Sequence, residues 1–229
     1  MVNMRKPGRV AWMVLATANA CVVSAFGQEA DDGTSGGRIE LWLGPTGWPA
    51  ITELVAANGG TFDSVGFALG AAIHVPVVAF ENSDLLAGVD AMVAGTDSNI
   101  DGLLATPLFR DLYIGMSAKW TFGAARNVAL DAGLGIHLAD IAQVDTDYRS
   151  ALEFRSWEAS RIGAMLGATW DIGAGRQGKS SGLFVGFKVH FVDFGNIRDE
   201  AVLYLPILGP NAGALNGPMY LFQVGYSSL

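Results

Sequence analysis

Two groups of residues in this chain have types and spacings that support chemistry in other proteins. Gly173-Ala-Gly-Arg-Gln-Gly178-Lys179-Ser180 fits the phosphate-binding pattern GxxxxGK[ST] at every required position, and Val189 to Asp193 loosely fits the acidic strand end that helps hold magnesium. Such a loop works because its amides, and the N-terminus of the helix that follows, surround a phosphate. Overlapping it, Gly178-Lys-Ser180-Ser-Gly182 fits the GxSxG nucleophile pattern, which needs a sharp strand-to-helix elbow. Both requirements fail on what comes next. Gly182-Leu-Phe-Val-Gly-Phe-Lys-Val-His-Phe alternates like a strand, and no strand-helix-strand succession surrounds it. Residues 173–180 therefore read as a glycine-rich turn, with no nucleotide and no serine nucleophile.

The second group is ionisable: Tyr113, His137, Arg161, Lys188 and His190, together with Lys119 and Asp131. Gathered on one surface, these would make an anion site or present a catalytic histidine. Spread through an interior, they would be a polar core whose charges are paired or hydrated. The elements that carry them decide between the two.

Those elements show period two almost throughout. In residues 62–78, Val65, Phe67, Leu69, Ala71, Ile73, Val75 and Val77 alternate with small residues and His74. Residues 111–122 set Leu112, Ile114, Met116, Ala118, Trp120 and Phe122 against Tyr113, Gly115, Ser117, Lys119 and Thr121. Similar alternation runs through 128–139, 161–172, 182–194 and 218–227, and more weakly through 38–44 and 85–95. About eight strands result. Pro76 predicts a bulge or an early strand end, because its missing N–H has no harmless place in a closed ladder.

The composition of the two faces assigns their surroundings. A soluble barrel turns its apolar face inward and shows charge outside. Here the apolar face is nearly free of charge, whereas the other combines glycines with His, Lys, Arg and Asp. A narrow polar interior beneath an apolar exterior is the transmembrane barrel arrangement, and Trp120 and Trp170 stand where interfacial aromatic anchors belong.

Residues 1–27 read as an export signal: Arg5, Lys6 and Arg9 precede an apolar stretch, and Ala25-Phe26-Gly27 carries small residues at the cleavage positions. Cleavage before Gln28 removes 27 of 229 residues, leaving 202, and takes three basic residues and no acidic ones, so the formal charge falls from −8 to −11. The only cysteine, Cys21, leaves with the signal. The whole chain is 51% hydrophobic and 16% charged with thirty glycines, a mean hydropathy of +0.34 and a pI near 4.7. This composition excludes a disordered or disulfide-stapled protein and argues against nucleic-acid binding.

The gaps between strands run long and short in turn: 45–61, 79–84, 96–110, 123–127, 140–160, 173–181 and 195–217. Long external loops opposite short periplasmic turns are the habit of small bacterial barrels. On export signal, strand pattern and loop alternation, the chain resembles the eight-stranded outer-membrane β-barrel class over essentially all of its mature length. It departs where such chains often end on an aromatic residue, since Tyr226 is followed by Ser227-Ser228-Leu229. The resemblance implies an all-β, antiparallel, up-and-down transmembrane barrel over residues 38–229, after a short linker at 28–37 and the signal.

A turn symmetric about Ala125 pairs residues whose numbers sum to 250, placing Lys119 opposite Asp131 and Tyr113 opposite His137. All three histidines then face inward, and His137, Arg161, Lys188 and His190 share the external half of the lumen. They read as a satisfied polar interior, paired with Asp90 or water. Pro49 to Asn58 predicts a short helix with Gly59 as its stop. The third loop interleaves Asp145, Asp147, Arg149, Glu153, Arg155 and Glu158 with Tyr148, Leu152, Phe154 and Trp157, while Ala201 to Gly209 is an apolar run broken by Pro206. No tight metal-ligand spacing occurs in these loops, and no cofactor is implied.

The expected role is envelope integrity or surface interaction without catalysis, with outer-membrane lipid and lipopolysaccharide around the barrel and an external ligand or protein at the loops. The alternative is a narrow channel or binding barrel for small solutes. A lipid-modifying enzyme ranks third, because no serine stands at motif spacing beside His137 or His190.

Overall fold

Hydrogen bonding turns the period-two pattern into a closed ladder. The computed structural model describes residues 37–57, 66–97, 105–123, 126–145, 153–172, 181–196 and 214–228. The export signal, nearly all of the linker, the 173–180 turn and the 201–209 run lie outside these residues. Eight strands follow in chain order: β1 (Arg38–Gly47), β2 (Gly66–Ala79), β3 (Ser83–Asp97), β4 (Ala105–Phe122), β5 (Val128–Asp145), β6 (Glu153–Ile172), β7 (Ser181–Asn196) and β8 (Ala214–Ser228). Each pairs antiparallel with its sequence neighbours, and β1 closes on β8. Leu43, for example, lies between Leu69 of β2 and Val224 of β8.

Registers follow the expected turn geometry where the turn is short. Lys119 pairs with Asp131 and Tyr113 with His137 across β4 and β5. At Pro76 the ladder shifts register between Pro76 and Val78, so the strand bulges and then continues to Ala79. Closure leaves no edge where that missing donor could face solvent. The chain end also joins the ladder: Ser227 and Ser228 pair with Glu40 and Ile39, carrying β8 past Tyr226.

The loop alternation needs correction. β4, β5 and β6 are 18, 18 and 20 residues long. They extend beyond the apolar alternation into segments expected to be loops, so only 98–104 separates β3 from β4 and only 146–152 separates β5 from β6. The 146–152 connection is shorter than the 173–180 turn opposite. Backbone hydrogen bonds sustain a ladder without lipid outside it, and an apolar pattern therefore marks the membrane belt rather than the full strand.

Outward side chains are apolar and exposed, among them Ile162 at 77%, Met116 at 76% and Leu134 at 65%. Trp120 and Trp170 share this face near the short-turn end. Inward side chains are buried, including Arg38, Lys119, Lys188, Tyr113 and all three histidines. This inversion is stable only with lipid around the barrel, because water would meet a continuous apolar wall. No described helix is long and apolar enough to cross a membrane; the strands make the crossing.

One helix, α1 (Pro49–Ala57), follows β1 directly, as Pro49 at its start predicts. It closes the loop end of the lumen. Trp48, Ala50 and Ile51 are buried in the same apolar cluster as Met92, Phe109, Phe194, Leu215 and Met219.

Candidate functional site

An eight-stranded barrel has room for little more than its own inward side chains. Large side chains fit here because a neighbouring strand offers a glycine beneath them. A Cβ on Gly70 would lie 2.3 Å from the Trp42 ring, and one on Gly135 would lie 2.5 Å from the Tyr113 ring. The glycines on the polar face are thus the floor for the aromatic and charged residues that cross the lumen.

Toward the short-turn end the filling is ionic. Arg38 donates to both carboxylate oxygens of Asp171 at 2.7 and 2.8 Å and to Glu40 at 2.6 Å. Lys119 donates to Glu40 as well and stands 3.2 Å from Asp131. Ser227 donates to Asp171 at 2.9 Å. Farther along, Lys188 is ion-paired with Asp90 and lies 5.7 Å above the Trp42 ring centroid. Among the described residues, the six buried carboxylates are Glu40, Asp84, Asp90, Asp111, Asp131 and Asp171. Each has a basic partner, including Arg126 for Asp84 at 3.1 Å and His137 for Asp111 at 2.7 Å. Pairing offsets much of the cost of burying these carboxylates, although both Asp131 oxygens and one oxygen each of Glu40, Asp84 and Asp111 have no hydrogen-bond partner among the described residues.

Toward the loop end the filling becomes aromatic. Tyr113 lies 4.8 Å from His137 and 4.6 Å from His190, and the two histidine rings are 5.3 Å apart. Above them, Trp48 packs edge-on against Phe109 at 4.7 Å and tilted against Phe194 at 5.5 Å. Between this cap and the polar layer sits a pocket of about 10 Å³ lined by Thr96, Asp111, Trp48 and Met219, about enough for one water. Outside the barrel wall, a groove of about 370 Å³ runs beside α1 between Glu53 and Tyr220.

Tyr113, His137, Lys188 and His190 are therefore inside the lumen and buried. Arg161 is not among them. Although it pairs in register with His137, its side chain is half-buried and donates to the backbone carbonyls of Ser160 at 2.9 Å and Phe194 at 3.5 Å, at the mouth. Arg161 lies mid-strand in β6, and its long side chain reaches the Phe194 carbonyl near the end of β7 without the cost of full burial. Asp90 is a partner within the cluster, and Asp111 is a second carboxylate there. Asp90 holds Lys188, and the carboxylate of His137 is Asp111.

Sequence reading missed Arg38, Glu40, Asp111 and Asp171 as members of the network. Their parity placed them inward, but nothing in the sequence reported which residues meet across the lumen. It also missed a Ser–His contact: Ser117 Oγ lies 2.9 Å from His74 Nε2. His74 Nδ1 has no hydrogen-bond partner among the described residues, so no acid orients this pair, and the histidine is fully buried. It lacks the base-orienting group and the access that nucleophilic catalysis needs.

No family model matches the chain, and no curated protein matches it. Solved structures do. Neisserial surface protein A is 11% identical, with 86% of this chain and 99% of that one covered at a TM-score of 0.44. Ail, the attachment invasion locus protein of Yersinia pestis, is 9% identical, with 83% and 97% covered at 0.43. Outer membrane protein OprG from Pseudomonas aeruginosa is 10% identical, with 85% and 97% covered at 0.38. The chain has the fold of a small eight-stranded transmembrane barrel. That rests on the closed ladder and its inverted faces, and at such identities no functional residue carries over.

Proposed function

We propose that this is an integral outer-membrane barrel with a structural or surface-interaction role, acting through its loop end and without catalysis. The observation that supports this reading is the filled lumen. Arg38 and Asp171 tie β1 to β6, Lys188 and Asp90 tie β7 to β3, and the Trp48, Phe109 and Phe194 rings cap the loop end. A barrel crossed by ion pairs and sealed by aromatics is a rigid anchor for what projects from it. Outer-membrane lipid and lipopolysaccharide surround the apolar belt in this reading, and an external ligand or protein meets the loop end. Nucleotide has no part in it, so Lys179→Ala leaves folding and any ligand binding unchanged.

The deciding experiment combines membrane fractionation with planar-bilayer recording on the purified barrel. The expected result is outer-membrane recovery, heat-modifiable gel migration and no steady ion current. A reproducible small conductance whose selectivity shifts on Lys188→Ala would replace this reading with a narrow conduit, which the buried polar atoms left without hydrogen bonds along the lumen, such as Trp42 Nε1 and Gln223 Nε2, favour.

A further inference from the structure

The geometry points to a binding site for a soft monovalent transition-metal cation of the Cu(I) class between His137 and His190, in the loop-end half of the lumen. Three observations converge there. The first is the orientation of His137. Its Nδ1 is 2.7 Å from Asp111; a carboxylate there accepts Nδ1–H and leaves the Nε2 lone pair free. Carboxylate, imidazole and metal in series is the usual way a protein fixes a ligating histidine. Gly163 makes this possible, since a Cβ at that position would lie 2.9 Å from His137 Nε2. The imidazole thus crosses β6 toward β7, where His190 stands.

The second observation is unused donor capacity. His137 Nε2, both ring nitrogens of His190 and the Tyr113 hydroxyl have no hydrogen-bond partner among the described residues. All three residues are 1% exposed or less. An unpartnered buried imidazole is costly, and two facing one another call for a shared ligand. Their centroids, 5.3 Å apart and edge-on, fit two imidazoles that share one ion through N–metal bonds of about 2 Å.

The third observation identifies the ion. Met219 pairs directly with His190 from β8, on the same inward face, and is buried, whereas Met165, the partner from β6, extends over Gly133 of β5, where a Cβ would lie 3.1 Å from its methyl. Thioether sulfur selects Cu(I) over the harder divalent ions. Among the described residues no group of three His, Cys, Asp or Glu side chains converges, so the closed tetrahedral set that zinc prefers is missing. Asp111 and Met219 also line the small pocket beneath Trp48.

The test uses the full barrel purified from membranes in detergent, with heat-modifiable migration as the check that each variant is folded. Cu(I) is titrated anaerobically against a chromogenic Cu(I) chelator, and Ag(I) serves as the redox-inert probe. The expected result is one tightly held equivalent, with nitrogen and sulfur scatterers in X-ray absorption. His190→Leu and His137→Gln should each weaken binding by more than the about 10- to 100-fold that removal of a ligand's supporting partner costs, and Asp111→Asn should fall within that range. Met219→Leu should lose sulfur scattering while keeping nitrogen, and His74→Ala should bind as the parent does. Failure of the folded parent to compete with the chelator would overturn the assignment. So would binding that survives loss of both His137 and His190, or a preference for Zn(II).

Discussion

Arg38 and Asp171 lie on strands that are not neighbours in the ladder, yet they meet through two parallel N–H···O contacts of 2.7 and 2.8 Å with both side chains almost wholly buried. The bidentate fork joins β1 to β6 through the lumen, Glu40 accepts from Arg38 Nε, and Ser227 donates to Asp171. Removing one partner leaves a buried charge unmatched. Arg38→Ala or Asp171→Asn should therefore lower stability by about 3–5 kcal/mol. Replacing both by apolar residues of similar volume should restore much of the loss. Urea unfolding followed by gel mobility of the folded barrel reads both outcomes.

Lys188 and Arg161 should respond differently. Lys188→Ala deprives buried Asp90 of its ion pair and should cost about 3–5 kcal/mol by the same reasoning. Arg161→Ala alters a half-buried side chain bonded to backbone carbonyls at the mouth and should cost below about 1 kcal/mol. Thermal unfolding of the two variants side by side tests the correction that separates Arg161 from the lumen cluster.

Gly70 on the inward face and Gly95 on the outward face, in register with exposed Phe67, provide a packing test. A Cβ on Gly70 would meet the Trp42 ring at 2.3 Å and the Ala91 carbonyl at 2.7 Å, whereas one on Gly95 finds its nearest neighbour at 3.7 Å. Gly70→Ala should destabilise by about 1–3 kcal/mol, the range for overpacking. Gly95→Ala should be close to neutral. Equal tolerance at both positions would mean that Trp42 does not rest on Gly70.

The lipid-facing wall is tested by charge. Leu134 is 65% exposed in the middle of the apolar belt, and Leu134→Arg should cost about 2–4 kcal/mol, the penalty for Arg near the bilayer midplane. Glu81, exposed in the short connection after β2, should accept Arg without loss. Folding yield into lipid vesicles measures both. A soluble Leu134→Arg variant of unchanged stability would show that this face does not meet lipid.

Much of the architecture was legible in the chain because a strand's side chains have a period of two whatever the strand pairs with. Alternation of Leu112, Ile114 and Met116 with Tyr113, Gly115 and Ser117 fixed which residues point in, and the glycine-rich, charged inward face identified the surroundings as lipid. One short turn fixed a register, so Lys119 opposite Asp131 and Tyr113 opposite His137 came from arithmetic along the chain. Strand ends were less visible, because β5 and β6 continue past the apolar belt on backbone hydrogen bonds, which carry no hydropathy pattern.

Only closure decided the contacts that define the interior. Arg38 with Asp171 and Lys188 with Asp90 join positions 133 and 98 residues apart, and His137 reaches His190 by crossing an intervening strand over Gly163. Parity gives each side chain a face but no height along the lumen or partner across it. Those depend on the stagger summed over eight pairings, which exists only when β8 returns to β1.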